Sequence, residues 1–115
     1  MHEERAQLLR VELDRFVDIV SREMSPERIV LFGSFARGDV HEWSDLDLVV
    51  VTETELPFME RQRLVIHRVR PTVTVDFFVY TPNEWEYMKS TQPFRRDEID
   101  AKGKVIYERR GAAVA

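Results

Sequence analysis

Apolar strand-like runs alternating with amphipathic helical segments predict an α/β (α+β) domain, a small mixed sheet of about three to four strands with helices packed on it. Two observations carry this. Ile29-Val30-Leu31-Phe32 is a continuous apolar run that stops at Gly33, and residues 72–80 alternate strictly, while the segments between have apolar positions three and four apart. A chain of 115 residues suits one core, so residues 1–110 are read as a single domain and 111–115, Gly-Ala-Ala-Val-Ala, as a frayed tail.

The first helix runs over the opening 24 residues, where Leu9, Leu13, Phe16, Val17, Val20 and Met24 line one face. Ser25-Pro26-Glu27 ends it, because proline disfavours helical dihedrals in the residue before it and has no amide hydrogen. Ile29–Phe32 has no polar alternation, as expected of a central strand covered on both faces. Residues 33–44 read as a turn, a short helix and a loop, and a second strand spans 45–51. Pro57 falls in the first turn of a helix extending to about Arg70, with Met59 and Ile66, and Phe58, Val65 and Val69, expected to face the sheet. The third strand, 72–80, places Val73, Val75, Phe77 and Val79 on one face and Asp76 on the other. Thr81-Pro82-Asn83-Glu84 is a capping box opening a helix that carries Trp85 and Met88. A further helical piece is expected over 95–101, and Val105-Ile106-Tyr107 as a short edge strand.

Composition removes several classes of function. The absence of cysteine excludes disulfides, thiolate metal sites and cysteine nucleophiles. Seventeen basic against 21 acidic residues give a net charge of −4, which disfavours holding a nucleic-acid backbone by bulk electrostatics. No apolar run approaches membrane-spanning length and the opening Met-His-Glu-Glu-Arg lacks signal-peptide character, so a cytoplasmic protein without membrane attachment is expected.

The informative constellation is Gly33-Ser34, ten further residues, then Asp45-Leu46-Asp47. Asp45 and Asp47 are two apart on a strand and leave the same face, while Leu46 and Leu48 enter the core. Paired carboxylates bind hard cations, and two Mg²⁺ ions are a standard clamp for in-line attack on phosphorus. Asp76 can supply a third carboxylate from a neighbouring strand, where burial without a metal or other partner would be costly. Upstream, a strand ending at Gly33-Ser34 offers backbone amides and a hydroxyl to a phosphate, with no Cβ at Gly33 to block approach. Arg37 can meet a phosphate bidentately.

With Leu31-Phe32-Gly33-Ser34-Phe35-Ala36-Arg37-Gly38, Ser44-Asp45-Leu46-Asp47-Leu48, Val75-Asp76-Phe77 and Gly103-Lys104-Val105-Ile106-Tyr107, the chain resembles the minimal nucleotidyltransferase (MNT) domain of the DNA polymerase β-like nucleotidyltransferase superfamily. The resemblance implies that Asp45, Asp47 and Asp76 hold Mg²⁺, that Gly33 and Ser34 contact the triphosphate, and that Arg37 belongs to the same motif. It also implies pairing with a HEPN-domain toxin, with AMP passing from ATP to a tyrosine of that toxin and Asp76 as the candidate base. So short a chain leaves little material for an acceptor pocket, so a second subunit is expected to supply it, and homo- or hetero-oligomers both remain open. Two other readings stand beside this one: an antitoxin that neutralises its partner by covering it, and a small-molecule (antibiotic-type) nucleotidyltransferase completed by a partner. His41, Glu42 and His67 read as solvated positions, Trp43 as a loop residue or base-stacking platform, and Arg61, Arg63, Arg68 and Arg70 as a solvated basic face or partner contact.

Overall fold

In the computed structural model, which describes residues 2–92 and 103–109, the chain runs α1 (His2–Met24), β1 (Arg28–Phe32), α2 (Gly33–Arg37), β2 (Leu46–Val51), α3 (Phe58–Val69), β3 (Val75–Tyr80), α4 (Pro82–Thr91) and β4 (Lys104–Glu108). The four strands form one mixed sheet in the order β3-β2-β1-β4. β1 is antiparallel to both β2 and β4, and β2 is parallel to β3. The expected helical piece over 95–101 and the tail 111–115 lie outside the described residues.

Strand alternation divides the side chains between two faces. Ile29, Leu31, Leu46, Leu48, Val50, Phe77 and Val79 meet Leu9, Leu13, Phe16 and Val20 of α1 and Val65 and Val69 of α3 in the main core. On the other face Val30, Val49 and Val51 pack beneath Trp85 and Met88 of α4. Both faces of β1 and β2 are therefore covered, which is why their sequences are apolar without alternation. Thr81 and Glu84 form the reciprocal capping box of α4, with Pro82 in its first turn.

Three expectations are corrected. Met59 and Ile66 do not face the sheet but are 61% and 51% exposed, because the buried stripe of α3 is Arg61, Val65 and Val69. Arg61, expected on a solvated face, lies inside. Its guanidinium donates to the carbonyls of Leu56 and Val79 and pairs with Glu84 at 2.6 Å, satisfying the charge that burial would otherwise penalise. β3 begins at Val75 rather than Thr72, since the Thr72 amide and hydroxyl are taken by Glu12 of α1 and the ladder to β2 starts with Leu46 N–H on the Thr74 carbonyl.

The outer edge of β3 is closed by a side chain. The Gln62 amide donates to the Phe77 carbonyl (2.8 Å) and accepts from the Val79 amide (3.2 Å), reproducing the pattern that a further parallel strand would make. Among the described residues, no helix is long and apolar enough to cross a membrane.

Candidate active site

Among the described residues, Trp85 and Met88 of α4 pack over Val30, Val49 and Val51, and the motif residues gather on the same sheet face toward the β1–α2 turn. Asp47 shares the face of Val49 and Val51 by alternation, and Asp76, between core-facing Val75 and Phe77, shares it too. The parallel register places Asp76 directly beside Asp47, and the antiparallel register places Asp47 opposite Phe32, the last residue of β1. Two carboxylates from adjacent strands thus stand together at the point where β1 turns into α2.

Gly33 makes that turn with φ +75, and a Cβ built on it would lie 2.1 Å from Oδ2 of Asp47. The missing side chain is the space in which the Asp47 carboxylate sits. Glycine is required here twice, for the left-handed backbone and for the close approach. α2 is capped by Gly38, also left-handed, whose amide donates to the Phe35 carbonyl while the Asp39 amide donates to that of Ser34.

Ser44, only 2% exposed, ties the two halves of the motif together. Its hydroxyl lies 3.2 Å from that of Ser34 and accepts from the His41 amide at 2.8 Å. Its carbonyl accepts from Nε of Arg5 in α1 at 2.9 Å, and another nitrogen of the same guanidinium lies 3.5 Å from Oδ1 of Asp45. Asp45 stands just before β2 rather than within it. Neither Arg5 nor the hub role of Ser44 was legible in the sequence: Arg5 is about forty positions away in a helix whose pattern speaks only of core packing.

The donor set, hard carboxylate oxygens from a loop and two strands, has the chemistry of a Mg²⁺ site, and the Gly33 cradle gives one of them room. Among the described residues, no three His, Asp or Glu side chains stand as a metal-binding group. Asp45 rests against Arg5 instead. Asp76 is not buried, contrary to expectation. It is exposed, so no desolvation penalty demands a metal there, and its claim to function rests on its register beside Asp47. Arg37 is exposed in the last turn of α2. Trp43 is 77% exposed, so it does not pack on the sheet edge. His41 and His67 are exposed.

Among the described residues, two carboxyls at structural latches have shifted pKa values. Burial pushes the Glu12 carboxyl up, but hydrogen bonds from Arg15 and Thr72 and the Arg15 charge outweigh it and hold the group below its ordinary value. Arg15 in turn caps the end of α3 through the carbonyls of Val69 and Arg70. Glu84 is held down by the Arg61 guanidinium, against burial, with the Thr81 amide assisting.

A mixed four-stranded sheet with a glycine-serine turn facing strand-borne aspartates is the arrangement that the resemblance to minimal nucleotidyltransferase domains leads one to expect. The model of the nucleotidyltransferase domain family matches residues 13–108, and the chain belongs to that family. Two proteins of Methanocaldococcus jannaschii named "putative protein adenylyltransferase" are similar to it. One is 29% identical over 77 residues, covering 67% of this chain and 75% of the relative; the other is 31% identical over 67 residues, covering 56% of this chain and 43% of the relative. Among solved structures, a "putative nucleotidyltransferase" from Sulfolobus solfataricus matches with TM-score 0.68 and 22% identity, over 98% of this chain and 92% of that one. A chain of a toxin-antitoxin structure with AMP-PNP matches with TM-score 0.51 and 19% identity, over 83% and 72%. These two show likeness of fold.

Proposed function

We propose that this nucleotidyltransferase transfers AMP from ATP, with Mg²⁺, to a tyrosine hydroxyl of a HEPN-domain toxin and acts as its antitoxin. The observation that carries the reading is the Asp47 carboxylate seated in the space left by Gly33, with Asp76 beside it in register. The adenylyltransferase names of the relatives and the toxin-antitoxin neighbour support the direction; the HEPN partner and the tyrosine come from the family resemblance.

Asp45, Asp47 and Asp76 would hold Mg²⁺, which supplies charge neutralisation on the triphosphate. Gly33 and Ser34 would seat the phosphates through the turn's backbone amides and the Ser34 hydroxyl, and Arg37 would meet their remaining charge. Asp76, exposed on the open face, would accept the proton of the incoming hydroxyl. That oxygen then bonds to the α-phosphorus of ATP as the bond to the β-phosphate oxygen breaks, and pyrophosphate leaves.

Incubation of the two proteins with Mg²⁺-ATP should raise the partner's mass by one or more adenylyl groups. Asp45→Asn with Asp47→Asn should abolish both that gain and protection of cells from the partner. Full protection by the double variant would show that covering the partner suffices and would overturn transfer as the antitoxin mechanism.

A further inference from the structure

Arg5 reaches from the first turns of α1 to the site through two unequal contacts. Nε holds the Ser44 carbonyl at 2.9 Å, a hydrogen bond of ordinary length, while the neighbouring nitrogen is 3.5 Å from the Asp45 carboxylate. The strong contact is to fixed backbone and the weak one to the carboxylate. Ser44 is buried and its hydroxyl meets Ser34, so the strong contact anchors the loop that joins the Gly33-Ser34 turn to the aspartate strand. The Arg5 and Asp45 side chains are 22% and 35% exposed, open enough for exchange with an incoming ion. Among the described residues no three His, Asp or Glu side chains stand as a metal-binding group, and Asp45 is met by a cation, Arg5.

We infer that Arg5 is a positioning residue with two tasks. Its hydrogen bond to Ser44 holds the Ser34–Ser44–Asp45 frame, and its charge occupies Asp45 until the metal-bearing nucleotide takes that carboxylate over. The guanidinium fork permits both, because one nitrogen keeps the Ser44 carbonyl while the other releases Asp45. The inference rests on the reading of Asp45, Asp47 and Asp76 as metal ligands given above.

The two tasks predict opposite signs when Arg5 is replaced. Arg5→Met keeps the aliphatic stem and removes both contacts. Without the competing charge a divalent ion should bind the full chain about tenfold tighter, the scale set by a unit charge acting a few ångströms from a divalent ion under near-aqueous screening. Without the anchor, adenylyl transfer at saturating Mg²⁺-ATP should fall about tenfold. Arg5→Lys restores the charge without the fork, so it should return the ion affinity to the wild-type value and recover only part of the rate. Mn²⁺ serves as the probe, with the free ion read by electron paramagnetic resonance and folding checked by thermal unfolding. A residue that only supports the fold would weaken Mn²⁺ binding and transfer together, and that result, or unchanged Mn²⁺ affinity in Arg5→Met, overturns the inference. Wild-type protein that binds no Mn²⁺ with or without ATP overturns the metal-site reading beneath it as well.

Discussion

Replacing Gly33 by alanine isolates the geometric core of the site. The residue sits at φ +75, where a side chain costs about 1–2 kcal/mol. The new Cβ would lie 2.1 Å from Oδ2 of Asp47, and restoring ordinary contact requires the carboxylate to retreat on the order of 1 Å. That atom is the end of a side chain, so the carboxylate can turn aside without displacing the core, and the stability loss should be the backbone term plus the adjustment that the Asp47 Cγ and Cβ, at 2.8 and 3.1 Å, require. For a chain of this size the backbone term is about 4–8 °C in Tm. Misplacement of a reacting group by about 1 Å costs roughly a hundredfold in rate, so transfer should fall far more than stability does. Thermal unfolding and transfer of label from α-³²P-ATP give the two readings. In an Asp47→Ala background the same glycine change should cost less, since the carboxylate is gone and only the contact to the Cβ of residue 47, at 3.1 Å, is left to relax. Transfer by Gly33→Ala within about threefold of wild type would refute the idea that the cradle positions Asp47.

Two further outcomes concern the latches. Glu12, its side chain 4% exposed, has a carboxyl pKa held below the ordinary 4.5, so its contribution is fully present above that value and is lost as pH falls below it toward the folded-state pKa. Glu12→Gln should cost about 1–3 kcal/mol in urea unfolding at pH 7, the lower end favoured because Arg15 is 36% exposed, and should flatten the acid side of the stability profile; an unchanged profile would contradict the assignment. Arg61→Met should cost about 2–4 kcal/mol, since Val79 and Leu56 lose a donor and Glu84 its partner. A loss below about 1 kcal/mol would mean the buried guanidinium is no better than a methionine stem.

Much of the architecture can be read from residue pattern. The apolar runs of β1 and β2 reflect burial on two faces, and the Thr81-Glu84 box and Pro82 mark the start of α4. The Gly33-Ser34 and Asp45-x-Asp47 blocks are local, so their spacing carries their meaning. What spacing does not carry is tertiary. The seating of Asp47 against Gly33 and the placement of Asp76 beside it follow from strand register. The rotation of α3 that buries Arg61 follows from acceptors on β3 and α4, and the late start of β3 from a carboxylate of α1. The Arg5 contacts join α1 to a loop through a backbone carbonyl, which leaves no trace in side-chain pattern.

Isothermal titration of the free protein with ATP, with and without Mg²⁺, reads out whether Asp45, Asp47 and Asp76 serve a metal-bearing nucleotide. If they do, Mg²⁺-ATP should bind the wild-type chain more tightly than ATP alone, and Asp45→Asn with Asp47→Asn should remove the difference while leaving the fold intact. Equal affinity for ATP with and without Mg²⁺ in the wild-type protein would contradict that role.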